Sequence, residues 1–231
     1  RKVWAWLAYL ICHRGTSVAQ KKLIELLWGD EPSSTNPENA LRITLHRLRS
    51  QLDLLWPNAG KELILHKNGG YSWNTQASIR VDSDRFEQLV QTKDVPESTR
   101  LEHCLEALSL YQGDFLERQS SESWVIPVTT HFHNLYVMLC LETADLLSRQ
   151  DRHQEAAHIC QQCINSEPYH ETLYQVLMKE LAAAGDQQGA SAVYEGLRKR
   201  LFDDFGIRPS EETQAAYREA VHAPAERTLP I

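Results

Sequence analysis

The most constraining feature of this 231-residue chain is a leucine stripe in residues 37–52. Its leucines repeat in steps of four, three and four residues, which is the spacing of one helix face: Leu41, Leu45, Leu48 and Leu52. A capping cluster at residues 33–36, Pro37 and Glu38 favour a helix that begins here. The opposite face is polar and basic, with one large aliphatic residue: Asn39, Arg42, Ile43, Thr44, His46, Arg47, Arg49 and Ser50.

The surrounding elements predict a winged helix-turn-helix. The apolar run of residues 3–12 ends at a cationic turn with Gly15, which predicts a first helix. Thr16 and Ser17 predict the cap of a second helix over residues 18–28. Two β-prone runs, residues 63–66 and 71–74, flank Lys67-Asn68-Gly69-Gly70 and predict a hairpin. In this order the basic helix would lie in the major groove of DNA and the hairpin tip would follow the phosphates.

The distribution of charge supports this interpretation. The formal net charge of the chain is −7, which by itself argues against a nucleic-acid partner. Residues 1–80, however, hold eleven basic and six acidic residues, a balance of +5, whereas residues 81–231 carry −12. A basic helix face can also be merely solvated, but the hairpin and the segregated charge favour DNA.

Composition excludes several classes of protein. With 42% hydrophobic and 24% charged residues, the chain is neither collagen-like nor a disordered tail. Five cysteines form no disulfide framework and predict a reducing, cytoplasmic location. No apolar run is long enough to span a membrane and no leader is visible, so no membrane partner is expected.

The second part of the chain is predicted to be an all-α helical repeat. The pattern is helical from residue 81 to about residue 220, with a self-similarity near 34 residues that relates Ala156 to Ala190. Pro168 follows the first of these repeat units and Pro209 follows the second. The predicted fold class is therefore mainly α, with a winged helix-turn-helix at residues 1–79 and tetratricopeptide-like repeats at residues 80–225.

Six short stretches of this sequence resemble the Streptomyces antibiotic regulatory protein family. In the first part they are LIELLWGDE at residues 23–31, residues 39–52 with LHRLR at 45–49, and NGGY at 68–71. In the second part they are VDSDRF at 81–86, YQGDFL at 111–116 and FGIRPS at 205–210. The resemblance covers nearly the whole chain, and the order and spacing of the motifs make it specific. It implies a response-regulator-type winged helix followed by a bacterial transcriptional activation domain.

The resemblance implies a transcription activator that binds direct repeats in double-stranded promoter DNA and recruits RNA polymerase, with homodimer contacts in its second domain. By position, residues 39–51 correspond to the recognition helix and residues 66–70 to the wing. The expected DNA-contacting residues are those of the polar helix face together with His66, Lys67 and Asn68. The family's winged helix has strands before its first helix, and because this sequence begins inside that helix we expect a fragment of a longer protein.

Chemistry at a catalytic or metal site has no support in the sequence. No nucleotide-binding glycine loop or nucleophile elbow occurs, so no enzyme, no cofactor and no metal are expected. Cys160 and Cys163 form a C-x-x-C pair, but they lie in a helical repeat and are predicted to be small packing residues. An alternative function stays open, in which the repeats are a sensor or adaptor that binds a protein or a small molecule.

Overall fold

The computed structural model describes residues 2–29, 36–117 and 122–222. The chain divides into two compact units, Arg1–Arg80 and Val81–Ile231. Helices dominate both units, which confirms the mainly α fold class. Within the described ranges, no helix is both long and apolar enough to cross a membrane.

The first unit is built on three helices whose apolar faces meet. They are α1 (Lys2–Cys12), α2 (Gln20–Trp28) and α3 (Pro37–Leu52). Trp6 and Leu10 of α1 and Leu23 of α2 are fully buried. The whole leucine stripe of α3 is buried as well, with exposed fractions of 8% or less, which confirms the face assigned from its spacing. Burial of one leucine contributes about 1.5–3 kcal/mol, so the stripe orients α3 firmly.

The hairpin is confirmed, and a third strand joins it. Strands β2 (Ile64–Lys67) and β3 (Gly70–Trp73) are antiparallel, and β1 (Val18–Ala19) pairs with the other edge of β3. Asn68 and Gly69 have positive φ angles of 52° and 72°, as a two-residue type I′ turn requires. Trp73 is buried and anchors the hairpin in the core.

Two local predictions in the first unit are wrong. The second helix begins at Gln20 rather than Val18, because Val18 and Ala19 pair with Tyr71 and Gly70 of β3. The Thr16-Ser17 cap does not form, since the residue at the cap position is Ala19, whose side chain makes no capping hydrogen bond. A short helix that was not predicted, α4 (Ala59–Leu63), leads into β2.

The second unit is a succession of helices in which neighbours along the chain pack on one another. Its helices are α5 (Asp82–Gln91), α6 (Glu97–Leu110), α7 (Val125–Ser148), α8 (His153–Ser166), α9 (Glu171–Ala183), α10 (Gln187–Phe205) and α11 (Glu211–His222). Ala156 of α8 and Ala190 of α10 are both fully buried, which fits the repeat of 34 residues. Pro168 lies between α8 and α9, and Pro209 lies between α10 and α11.

The C-x-x-C pair is part of this helical core, as predicted. Cys160 and Cys163 are free thiols and are fully buried. Burial raises the pKa of the Cys160 thiol to about 12. Among the described residues, no group of three or more His, Cys, Asp or Glu side chains is placed to hold a metal ion.

A partly buried ion pair joins the first helices of this unit, with the Glu142 side chain 33% exposed. The Arg100 guanidinium of α6 is 5% exposed and donates to both carboxylate oxygens of Glu142 on α7, over 2.6 and 2.7 Å. It also donates to the carbonyl oxygen of Leu89 in α5 over 2.6 Å. These bonds hold the pKa of Glu142 below its ordinary value and raise that of Arg100.

Candidate nucleic-acid interface

The start of α3 is fixed by its cap. The Asn36 side-chain oxygen accepts a hydrogen bond of 2.9 Å from the Asn39 backbone N–H, and Pro37 occupies the first helical turn. Asn36 is the last residue of the predicted capping cluster; residues 33–35 lie outside the part of the chain that the structure describes. The cap thus gives a hydrogen-bond acceptor to one of the backbone N–H groups in the first turn, which have no partner within the helix.

Six of the eight residues predicted on the polar face of α3 are exposed. Ile43 is an exposed aliphatic among polar neighbours, with 47% of its surface accessible. The other five carry hydrogen-bonding side chains: Asn39, Arg42, His46, Arg47 and Ser50. The face therefore offers amide, guanidinium, imidazole and hydroxyl groups around one apolar side chain.

The prediction that Thr44 lies on this face is wrong. Thr44 is 8% exposed, and its hydroxyl donates a hydrogen bond of 2.8 Å to the carbonyl oxygen of Ala40, one turn earlier. The position is next to the leucine stripe on the helical wheel, so packing draws the side chain inward. Its hydroxyl is used by the helix backbone rather than presented to solvent.

Arg49 also differs from expectation, because it turns towards the hairpin. Its Nη2 donates a hydrogen bond of 2.8 Å to the carbonyl oxygen of Ile64, the first residue of β2. Gly60 of α4 lies against the backbone of Arg49, so closely that a Cβ on Gly60 would come within 2.5 Å of the Arg49 Cα. Arg49 thus joins α3 to the wing instead of lying free on the exposed face.

The predicted wing residues lie at the tip and outer edge of the hairpin. Lys67 and Asn68 are exposed. The His66 ring stacks on Tyr71, with centroids 4.6 Å apart, and its Nε2 lies 3.2 Å from the Gln20 amide nitrogen. The wing is therefore held to the start of α2 as well as to α3.

Sequence reasoning missed residues that border the α3 face. A groove of about 370 Å³ is lined by Trp4 of α1 together with His46, Arg47 and Ser50 of α3. Trp4 is 54% exposed although α1 is strongly apolar. Helical periodicity could have found it, since a residue two positions from the buried Trp6 lies on the opposite side of the helix.

Two family models match this architecture. The model described as "Transcriptional regulatory protein, C terminal" matches residues 1–73, and that described as "Bacterial transcriptional activator domain" matches residues 81–220. A winged helix-turn-helix followed by a helical activation domain defines a bacterial transcription regulator. The chain belongs to the Streptomyces antibiotic regulatory protein family of transcriptional activators.

Curated relatives of this family cover nearly the whole chain. The regulatory protein AfsR of Streptomyces coelicolor is 27% identical over 224 residues, which are 95% of this chain and 22% of AfsR. The transcriptional regulator RedD of the same species is 26% identical over 213 residues, 90% of this chain and 60% of RedD. The chain thus spans less than two thirds of the length of either relative.

A solved structure shows the same fold. EmbR from Mycobacterium tuberculosis, determined in complex with a low-affinity phosphopeptide, superposes with a TM-score of 0.73 at 22% sequence identity. The match covers 95% of this chain and 59% of the EmbR chain. This similarity confirms the predicted combination of a winged helix with a helical domain.

Proposed function

We propose that the chain binds promoter DNA sequence-specifically, with α3 in the major groove and the hairpin on the adjacent backbone. The observation that carries the proposal is the exposed face of α3, where Arg42, His46 and Arg47 surround Ile43. This face belongs to the part of the chain with a charge balance of +5. Positive charge attracts the phosphates, and the mixed donors can discriminate bases.

Each exposed residue has a role that its chemistry suits. Arg42 and Arg47 can donate two parallel hydrogen bonds to guanine, Asn39 can bond to adenine, and Ile43 can pack on a thymine methyl group. His46 and Ser50 can bond to bases or phosphates. The wing residues His66, Lys67 and Asn68 can contact the phosphate backbone of the DNA and so fix the position of the protein on the duplex. Thr44 and Arg49, which were expected at the interface, support it from within the protein.

The family also motivates finer proposals. We infer that two copies bind direct repeats and form a homodimer through the helical unit, and that this unit recruits RNA polymerase. The winged helix would span residues 1–79 and the activation domain residues 80–225. A regulator of this kind acts in the bacterial cytoplasm, where the promoter and the polymerase are found.

The test of DNA binding begins with selection of duplexes from a randomised library by the purified chain. Affinity for the selected duplex is then measured by fluorescence anisotropy at several salt concentrations. Neutralisation of about five phosphates would give a slope of roughly −4 to −5 for log K against log salt. A scrambled duplex of equal length is the control, and equal affinity for both duplexes contradicts sequence-specific binding.

Activation is tested separately by transcription in vitro with bacterial RNA polymerase. A template with two selected sites as a direct repeat upstream of a weak promoter should give more transcript when the chain is added. A template with one site inverted is the matched control for the repeat geometry. Binding without increased transcription from the direct repeat would contradict the recruitment of polymerase.

A further inference from the structure

A groove of about 500 Å³ lies in the second unit, where α6 and α8 both pack against α7. Cavities of roughly 300–1,000 Å³ are those in which proteins bind small molecules. The walls come from α6 and α8 and the floor from α7, and the residues that define them are Leu105, Leu108, Tyr136, Cys140, Ile159 and Gln162. The DNA-binding proposal makes no use of this groove.

Stacked aromatic rings form one side of the groove. The rings of Tyr111 and Tyr136, both of which line it, lie 4.1 Å apart between centroids and within 9° of parallel. The Tyr111 hydroxyl donates to Asp114 Oδ1 over 3.0 Å, which fixes the outer ring. Burial raises the pKa of both tyrosines, so they stay neutral at physiological pH. One side of the groove is therefore aromatic and uncharged.

The lining contrasts in charge with the rest of this part of the chain. Residues 81–231 have a balance of −12, yet none of the described side chains that line the groove is Asp, Glu, Lys, Arg or His. An ionised ligand would lose hydration there without gaining a counter-charge. Leu105 leaves 38% of its surface exposed, and Gln162 and Asn165 supply amide groups at the rim. An uncharged molecule therefore fits the lining best.

The thiol at the floor does not make this a reactive site. Cys140 is 1% exposed, and its side chain is hydrogen-bonded to the thiol of Cys163. Because a thiol buried in this way is hardly accessible to a molecule in the groove, binding there is expected to be non-covalent.

We propose that this groove binds a small uncharged molecule that has a flat apolar ring system and a hydrogen-bonding edge. The rings would lie against Tyr136, Leu105 and Ile159, and the edge would bond to Gln162 and Asn165. A ligand in this position touches α6, α7 and α8 at once, so it stabilises their packing. The site would make the helical unit a sensor as well as an activation domain.

The test uses N-phenyl-1-naphthylamine, a neutral fluorophore with flat rings and one N–H, titrated into the intact chain. Saturable 1:1 binding is expected, with a rise in Tm. The variant Leu105→Trp fills the groove from its exposed edge and should weaken binding about tenfold. The matched control is Met138→Trp, since Met138 is an exposed residue of α7 that does not line the groove. This control should bind like the wild type.

A second titration tests the charge argument. The probe 8-anilinonaphthalene-1-sulfonate has the same rings plus a sulfonate, and we expect it to bind at least several-fold more weakly. Equal affinity for the two probes overturns the inference that the site takes an uncharged ligand. Absence of saturable binding, or equal binding by the wild type and both variants, overturns the site itself. Circular dichroism of the variants confirms that each is folded, and DNA binding is not part of the readout.

Discussion

The Arg49 guanidinium donates a hydrogen bond of 2.8 Å to the main-chain carbonyl of Ile64, which joins the end of α3 to the first strand of the wing. The two elements proposed to contact DNA are therefore linked directly through a side chain. Gly60 packs on the backbone of the same arginine. These contacts hold α3 and the hairpin together as one preorganised surface, which would reduce the entropy lost on the proposed binding to DNA.

Loss of Arg49 should weaken the fold. In Arg49→Met the aliphatic part is kept, but the Ile64 carbonyl loses its donor. An unsatisfied buried polar group costs about 1–3 kcal/mol, and we expect the free energy of unfolding to fall by that amount. Urea unfolding measures it. The control Arg42→Met changes an exposed residue of the same helix, and its effect should stay within about 0.5 kcal/mol. Equal stability of the two variants would contradict a structural role for Arg49.

Arg47 should matter for DNA rather than for the fold. Its side chain is exposed on the α3 face, so Arg47→Ala should cost about 1–3 kcal/mol in binding to the selected duplex if the residue contacts a base. The unfolding free energy should hardly change. Arg218→Ala removes an exposed arginine from α11 and is the matched control for net charge. The prediction fails if both variants lose DNA affinity to the same extent.

Two glycines in helices should respond in opposite directions to alanine. At Gly60 a Cβ would lie 2.5 Å from Arg49 Cα, a contact with backbone that cannot move aside easily. Overpacking of this kind costs about 1–3 kcal/mol or more. At Gly196 of α10 a Cβ meets nothing within 4 Å, so alanine should stabilise by about 0.5–1 kcal/mol. Thermal unfolding distinguishes the two, and a stable Gly60→Ala variant would disprove the close packing.

The Arg100–Glu142 pair predicts acid sensitivity. Arg100 lowers the pKa of Glu142 in the folded chain from its ordinary value of 4.5. The stability that this carboxylate contributes is therefore present above pH 4.5 and is lost as the pH falls through the folded value. Glu142→Gln should therefore have a lower Tm than the wild type at neutral pH. When Tm is plotted against pH, the two curves should converge in acid.

The control for this profile is Glu155→Gln. Arg152 also lowers the pKa of Glu155, but both side chains of that pair are exposed, by 38% and 59%. Exposed pairs contribute little, so this variant should follow the wild-type Tm curve closely. Parallel pH profiles for the wild type and Glu142→Gln would contradict a stabilising role for the partly buried Arg100–Glu142 pair.

Local patterns predicted the elements of the first unit well where one segment decides its own structure. The leucine spacing of α3 fixes its buried face, and Asn68-Gly69 specifies a two-residue turn. The predictions are wrong for residues whose contact partners are distant in the sequence. Val18 forms a strand because Tyr71 lies beside it, and Arg49 turns inward because the Ile64 carbonyl needs a donor. Neither partner is visible in a helical wheel.

The second unit illustrates the same limit. Its repeat could be detected because Ala156 and Ala190, which lie 34 residues apart, are both small residues at fully buried positions. The groove between α6 and α8 could not be predicted, since its lining comes from stretches of three helices that share no motif. Only the packing of these helices on α7 brings Leu105 and Gln162 to opposite walls.

The hairpin has a fixed length. Its strands have four residues each, about 13 Å at the usual rise, and its turn has only two residues, Asn68 and Gly69. Because α3 is joined to its base, the hairpin would set a fixed distance between the proposed base contacts of α3 and the proposed backbone contact at the tip. DNA whose groove width differs from this span must deform to bind. We expect selected sites to share a local DNA shape, even at base pairs that no side chain contacts.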